Sequence, residues 1–200
     1  MTVNVVLEPA ADRLDLLAAA TAKALADLAA VLPLDQVSVG AIDPALADTA
    51  AFCAEYGVDL DETANCVVVA AKRAGQTTYA ACLVRATTRA DINGLTRRHL
   101  GARKISFAPM DDAVALTGME YGGITPIGLP EGWPILIDDA VAAVPRVVVG
   151  SGVRGSKIWL PGSALTLLPG AVVLPGLGMV ANGDAAAGSD ASPGSDPQGA

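Results

Sequence analysis

Apolar positions along the first third of the chain follow a helical spacing interrupted by one short β-prone run. Leucines recur near helical spacing through residues 11–32, which predicts an amphipathic helix that ends at Pro33. Residues 37–43, VSVGAID, favour a short strand. Residues 43–58 predict a second helix, with Asp43 as its N-terminal cap and Gly57 at its end.

The pattern then changes to mixed strands and helices. Two apolar, β-prone runs in residues 64–87 flank KRAGQ and predict a hairpin or a neighbouring strand pair. Further helices are expected at 91–100, 110–118 and 162–168, and further strands at 102–109, 134–138, 145–150 and 156–160. Because no regular βαβα repeat appears, an α+β fold with a mixed sheet fits best.

Length and composition indicate one folded domain followed by a tail. The chain has 200 residues, 52% of them hydrophobic, with a mean hydropathy of +0.46, so a real core is expected. Residues 182–200 contain mostly Gly, Ala, Ser, Asp and Pro, and we expect them to be disordered. No apolar run of about 18 residues and no signal-peptide pattern is present, so neither a membrane span nor a signal peptide is expected.

The cysteines and the single histidine argue against a metal or cofactor site. Cys53, Cys66 and Cys82 lack metal-type spacing and are expected to be reduced core thiols in a cytoplasmic protein. His99 is the only histidine, which disfavours a His-based metal site or catalytic triad. The Gly- and Ala-rich composition suggests a bacterial source, and no cofactor or metal is expected.

Charge is distributed unevenly along the chain. The net charge is −8, but residues 1–71 carry 2 basic and 11 acidic side chains, whereas residues 72–183 carry 11 basic and 7 acidic ones. The locally basic middle allows contact with a phosphate backbone, although ordinary solvated faces are an equally good explanation.

Common nucleotide-binding and hydrolase motifs are absent from the sequence. GSGVRG at 150–155 follows a predicted strand, but another strand is expected after it, so a hairpin turn is favoured over a nucleotide loop. Arg154 and Lys157 in this region could still contact a phosphate.

A longer combination of segments carries a family resemblance. FAPMDDAVALTGMEYGGITPIGLP at 107–130, PILID at 134–138 and VVVGSGVRGSKI at 147–158 together resemble the YbaK family. These proteins are free-standing relatives of the editing domain inserted in bacterial prolyl-tRNA synthetases. The resemblance implies a single α+β domain over residues 45–176, with a barrel-like mixed sheet flanked by helices. Residues 1–44 would be a helical extension packed on that domain.

The resemblance also implies an activity and a partner. Members of this family hydrolyse the ester of a mischarged aminoacyl-tRNA in trans, without a metal, and so contribute to translation fidelity. The sequence leaves two alternatives open. One is an inactive binding module that holds an aminoacyl-tRNA end or a small amino-acid-like ligand, and the other is a hydrolase of a small non-RNA ester or amide. The oligomeric state is not predicted.

The GxxxP loop would form the catalytic wall in this family. Glycine lets a backbone N–H approach a developing oxyanion without a side chain in the way. The resemblance therefore assigns the wall to the loop residues Gly122, Gly123, Ile124, Thr125 and Pro126. Gly152 and Arg154 are further candidates for substrate contact, and Arg97, Arg98 and Lys157 are candidates for nucleic-acid contact.

One position departs from the family pattern. The family usually carries a lysine at the start of the first core strand, where this chain has Ala64. Asn65 could bind a substrate carbonyl or only its own backbone. Asp138 could orient a water or the substrate, or merely cap a strand end. Cys66 is expected to be an inert buried thiol and His99 part of a solvated basic face, with phosphate contact the alternative for His99.

Overall fold

The computed structural model describes residues 4–180, so the tail predicted at 182–200 lies outside the described residues. The strands are β1 (Glu8–Pro9), β2 (Ser38–Ala41), β3 (Ala64–Arg73), β4 (Gln76–Arg85), β5 (Thr88–Ala90), β6 (Lys104–Phe107), β7 (Ile135–Asp138), β8 (Val147–Gly150), β9 (Ser156–Leu160), β10 (Ala171–Leu174) and β11 (Gly178–Val180). The α-helices are α1 (Ala19–Asp27), α2 (Thr49–Tyr56), α3 (Arg97–His99), α4 (Met110–Thr117), α5 (Asp139–Ala142) and α6 (Gly162–Leu165).

The strands form a mixed sheet system, which confirms the predicted α+β class. A five-stranded sheet has the order β10-β7-β4-β3-β6, and a four-stranded sheet has the order β1-β2-β9-β8. In the larger sheet β7 runs parallel to both β10 and β4, whereas β3 is antiparallel to β4 and β6. A two-stranded ribbon of β5 and β11 lies apart.

The predicted hairpin at 64–87 is present as β3 and β4. Its ten residue pairs run from Ala64 opposite Arg85 to Arg73 opposite Gln76. The two turn residues between the strands, Ala74 and Gly75, both have positive φ, at 50° and 82°. Two consecutive positive φ angles are typical of the tight turn that matches the twist of the flanking strands.

The outer edge of β3 is shared between two different strands. β6 pairs with its second half, from Val69 opposite Phe107 to Lys72 opposite Lys104. At its beginning, Thr63 forms a single parallel bridge with Val148 of β8. Between these two contacts, no strand of the described chain lies against this edge. The two sheets therefore separate here, and the separation creates an opening lined by the start of β3.

The main core lies between the two sheets. The side chains of Leu83, Ile127, Ile137, Ile158 and Leu160 are all fully buried in it. Burying a side chain of this size contributes about 1.5–3 kcal/mol, so this cluster holds the two sheets in fixed positions around the opening.

The N-terminal segment differs from the predicted helical extension. The α-helix spans only Ala19–Asp27 instead of residues 11–32. Its start is delayed because Ala18 is extended and its N–H donates to Ser151 O at 3.1 Å. The short strand expected at 37–43 is present as β2, and it lies between β1 and β9 within the sheet. Residues before 44 thus supply an integral strand in addition to a helix.

Two other helices differ from their predictions in their first turns. Asp43 caps only a 3-10 turn, Pro44–Leu46, and α2 starts after a second cap, Asp48, whose carboxylate accepts from Ala50 N–H at 3.0 Å. Gly57 ends α2 in the left-handed conformation, as predicted. The helix predicted at 91–100 is a π-helical turn, Ile92–Thr96, followed by α3, with Asp91 capping it as expected.

Candidate active site

A cavity of about 520 Å³ occupies the opening beside β3, within the size range of small-molecule sites. Five segments contribute residues to its wall: 47–49 before and at the start of α2, 63–68 at the start of β3 and just before it, 107–113 around the end of β6, 121–124 at the start of the GxxxP loop and just before it, and 148–157 of the β8–β9 hairpin. Two of the three segments that carried the family resemblance, 107–130 and 147–158, therefore meet the start of β3 at one cavity, whereas residues 134–138 do not line it.

Two residues of the GxxxP loop line this cavity with backbone amides that no acceptor in the described chain uses. Gly122 and Ile124 both line it, and neither amide donates a hydrogen bond to any acceptor within residues 4–180. The amide of Gly123 is already used, because it donates to Glu120 O at 2.9 Å. Gly122 and Ile124 are thus the cavity-lining residues of this loop whose amides are free to bind a ligand oxygen.

The loop and the β8–β9 hairpin are locked together by backbone hydrogen bonds. Gly152 N–H donates to Gly123 O at 2.7 Å, and Glu120 N–H donates to Gly152 O at 2.8 Å. A Cβ on Gly123 would lie 2.5 Å from the carbonyl carbon of Val153. The backbone can approach this closely only because the residue is glycine. Gly152 lies behind the loop rather than in the cavity wall, so its geometry supports the loop.

Arg154 holds the loop from the other side. Its guanidinium donates to Tyr121 O at 3.1 Å and to Pro44 O at 3.0 Å. Its backbone N–H donates to the Glu120 carboxylate at 2.7 Å. Arg154 lines the cavity, yet these contacts fasten the loop to the segment before α2.

Two of the predicted loop residues lie deeper. Thr125 and Pro126 are buried and do not line the cavity. Among the described residues, the Thr125 hydroxyl has no hydrogen-bond partner. These residues lead the loop into the core at Ile127, so they fix its position rather than face a ligand.

The start of β3 supplies a polar wall next to an apolar one. Asn65 Oδ1 accepts a hydrogen bond from the Thr49 hydroxyl at 2.8 Å instead of from its own backbone, and its amide N–H groups have no acceptor within the described chain. Ala64 presents only a methyl group. Burial raises the pKa of the Cys66 thiol above its ordinary value, so this cavity-lining thiol stays protonated and is a poor nucleophile.

Lys157 lies inside the cavity wall rather than on an exterior RNA-binding surface. Only 7% of this residue is exposed, and its Nζ donates to Ala47 O at 3.0 Å. The ammonium also lies 5.5 Å from the centroid of the Phe52 ring. Burial lowers the pKa of Lys157 below its ordinary value, because desolvation disfavours the charged form.

Asp138 lies outside the cavity and has structural partners. Its carboxylate accepts from Ala140 N–H at 3.3 Å, as the cap of α5, and from Gly178 N–H at 2.7 Å. Burial raises the pKa of Asp138, but nothing in the geometry brings its carboxylate to the loop amides.

Arg97, Arg98 and His99 also lie away from the cavity, exposed on α3. They belong to a wider cationic region. We define the basic surface as Lys72, Arg73, Arg97, Arg98, Arg103 and Lys104, all of them exposed. Lys72 lies opposite Lys104 in the sheet, and Ala102 N–H donates to Arg97 O, which brings α3 next to β6. No salt bridge neutralises any of these six side chains within residues 4–180.

The basic surface and the cavity are joined by β6. This strand runs from Lys104 to Phe107, a distance of about 10 Å at the usual rise per residue. Phe107 and Tyr121 line the mouth of the cavity and remain 63% and 59% exposed. Sequence reasoning did not single out these aromatic residues, since only the convergence of β6 with the loop places them together.

The described residues contain no cluster of three or more His, Cys, Asp or Glu side chains arranged to hold a metal ion. Their helices include none with the length and apolar character needed to cross a bilayer.

Comparison with known proteins identifies the family of this chain. The sequence profile of the aminoacyl-tRNA editing domain matches residues 43–167, which is more than half of the chain. The chain belongs to the aminoacyl-tRNA editing domain family. The YbaK-type resemblance is thereby confirmed, and the matched region contains every segment of the cavity wall. Among curated proteins, no significant match is found.

Solved structures support the editing-domain fold at low sequence identity. One similar structure is of a protein proposed to be a trans-editing enzyme for prolyl-tRNA synthetase, with a TM-score of 0.65, 20% identity, and coverage of 85% of this chain and 98% of the other. A designed epitope scaffold gives 0.66, 19% identity and coverage of 80% and 97%. The hypothetical protein APE2540 gives 0.58, 23% identity and coverage of 65% and 83%.

Proposed function

We propose that this editing-domain protein is an aminoacyl-tRNA deacylase that hydrolyses the ester of a mischarged tRNA in trans. The observation that carries the proposal is the pair of unpaired loop amides, Gly122 and Ile124, on the wall of a cavity of about 520 Å³. Backbone N–H groups held rigidly beside an ester carbonyl stabilise the oxyanion that forms when the carbonyl is attacked.

The chemistry requires little beyond positioning and charge stabilisation. Water adds to the ester carbonyl, the bond to the ribose oxygen then breaks, and the ribose oxygen takes up a proton that the water released. One well-placed amide donor contributes about 3–4 kcal/mol to such a step. Because Arg154 and the β8–β9 hairpin fix the loop before substrate arrives, little reorganisation is needed during the reaction.

Features outside the cavity support tRNA as the partner. The basic surface lies about 10 Å from the cavity mouth, measured along β6, so it can bind backbone phosphates while the 3′ end enters the cavity. The exposed rings of Phe107 and Tyr121 at the mouth suit stacking against a terminal base, which is how proteins commonly hold single-stranded RNA.

A binding module without hydrolysis is the second candidate. It is favoured by Ala64, whose methyl group stands where the family usually has a lysine. In that case the same cavity would hold an aminoacyl-tRNA end or a small amino-acid-like ligand without cleaving it.

Hydrolysis of a mischarged alanyl-tRNA, tRNA-Pro charged with alanine, is compared with hydrolysis of alanine ethyl ester to test the proposal. The deacylase predicts cleavage of the tRNA ester and little cleavage of the ethyl ester, because the latter lacks the RNA contacts. Faster cleavage of the ethyl ester would instead identify a hydrolase of small esters. Binding of alanyl-tRNA without cleavage of either ester would identify a binding module.

A further inference from the structure

The cavity wall contains one buried cation without an anionic partner. Within residues 4–180, no carboxylate lies within 4.0 Å of Lys157 Nζ. The carboxylate of Asp48, which also lines the cavity, accepts backbone hydrogen bonds at the start of α2 instead. Of the three N–H groups of the ammonium, one binds Ala47 O, which leaves two without an acceptor in the described chain.

Burial of an unpaired ammonium is unfavourable for folding. A carbonyl oxygen and the Phe52 ring compensate only part of the lost hydration. A neutral side chain of similar length, such as methionine, would fill the same space without that cost. A buried charge of this kind in a cavity is therefore a candidate for a functional group.

Strand alternation places the Lys157 side chain on the same face of β9 as Trp159, where it reaches Ala47 O and the Phe52 ring of α2. Lys157 of β9 is opposite Gly150 of β8, and Val148 of β8 bridges to Thr63 beside Ala64. Two strand spacings of about 4.8 Å separate β9 from β3. Lys157 and Asn65 both line the cavity, and their side chains contact Ala47 and Thr49 at the start of α2, so the ammonium lies on the same side of the cavity as the Asn65 amide.

We propose that Lys157 supplies the positive charge of this site and binds the substrate's ester carbonyl oxygen. This inference rests on the proposed deacylase function. The ammonium donates a hydrogen bond to the carbonyl oxygen and stabilises the oxyanion as water adds. It transfers no proton: the attacking water supplies the hydroxyl of the released amino acid and the proton of the ribose hydroxyl.

Removing the charge of Lys157, compared with keeping it, provides the first test. Lys157→Met should lower kcat for mischarged tRNA about 100-fold with a small change in KM, since the interaction strengthens in the transition state. Lys157→Arg, which keeps a positive charge on a long side chain at the same position, should retain at least tenfold more kcat than Lys157→Met. Lys23→Met, which removes an exposed lysine of α1 that is paired with Asp27, is the matched control and should keep the native rate.

The second test needs no turnover. An amine-reactive label, followed by peptide mapping, reports the accessibility of Lys157 with and without 3′-deoxy-3′-(alanylamino)adenosine, an amide that cannot be hydrolysed as an ester. Occupancy of the cavity should slow labelling of Lys157 at least fivefold and leave labelling of Lys23 unchanged.

The two tests separate failure of the inference from failure of the proposed function. If the native protein cleaves mischarged tRNA but Lys157→Met retains its kcat within twofold, the deacylase stands and the role of Lys157 is overturned. If the native protein cleaves none, the deacylase fails, and protection from labelling decides whether Lys157 contacts the ligand. Unchanged labelling of Lys157 would overturn that contact.

Discussion

Gly122→Ala adds a single methyl group to the cavity wall. Gly122 has a φ of 81°, and a Cβ there would lie 2.5 Å from Arg154 Nη1. An alanine in this left-handed region costs about 1 kcal/mol. Displacing the guanidinium from Tyr121 O and Pro44 O removes two charged hydrogen bonds, which we set at about 2 kcal/mol together because the side chain is only half-buried. The expected loss of stability is therefore about 3 kcal/mol.

Gly132→Ala is the matched control for this change. Gly132 has nearly the same φ, 80°, but a Cβ there would have no atom within 4 Å. Gly132→Ala should therefore lose only the conformational cost of about 1 kcal/mol and keep its activity. Gly122→Ala should also lose about 100-fold or more in kcat, because the amides of the loop move with Arg154.

Urea unfolding and initial rates of mischarged tRNA hydrolysis measure both effects. The rates are taken at a temperature at which both variants are fully folded. If Gly122→Ala matches Gly132→Ala in stability and within threefold in kcat, then neither the Arg154 contact nor the loop geometry has the role assigned to it.

Three further variants test other parts of the site. Lys157→Met should raise the free energy of unfolding by about 1 kcal/mol at pH 7 in urea titrations, because it removes a buried charge. This difference in stability should shrink as pH rises toward the ordinary lysine pKa of 10.5. Below that pH Lys157 binds more protons in the unfolded state than in the folded state, so the protein with Lys157 gains stability as pH rises, whereas the Met variant does not. Arg97→Ala/Arg98→Ala should weaken tRNA binding and reduce the slope of log K against log salt by about 2, as measured by filter binding. Phe107→Ser should weaken binding of the tRNA 3′ end by about 1–3 kcal/mol in competition assays, through loss of base stacking.

Each of these predictions has an outcome that contradicts it. A less stable Lys157→Met protein would mean that the ammonium is held by structural contacts stronger than the structure indicates. The exposed Arg146 serves as the control for the salt experiment, and an Arg146→Ala effect equal to that of the double variant would indicate nonspecific charge attraction. Unchanged affinity of Phe107→Ser would remove the stacking role.

Local sequence signals predicted the elements whose causes are local. The β3–β4 hairpin follows from two β-prone runs around a tight turn, and Gly57 and Asp91 end or cap elements as expected. The prediction of one long helix at 11–32 was wrong at its start, because the Ala18 N–H donates to Ser151 O, a tertiary contact, instead of forming a helical hydrogen bond. No window of sequence contains that contact, so the pattern alone could not reveal it.

The buried position of Lys157 could not be predicted from the sequence either. All five residues of β9, from Ser156 to Leu160, are buried, because neighbouring elements cover both faces of this strand. A lysine beside a glycine-rich turn therefore looked like a surface residue. The cavity itself exists because β6 and β8 pair with different parts of the same edge of β3. Such pairing joins segments that are far apart in the sequence, so no local pattern predicts it.

The measurement that tests the central claim most directly is turnover of the native protein on tRNA-Pro charged with alanine, cysteine or serine. Release of labelled amino acid is followed with catalytic amounts of protein, alongside an active family member as a positive control. The account predicts release well above the spontaneous rate for at least one of the three substrates. Release at the spontaneous rate for all three, with the protein folded and the control active, would contradict it.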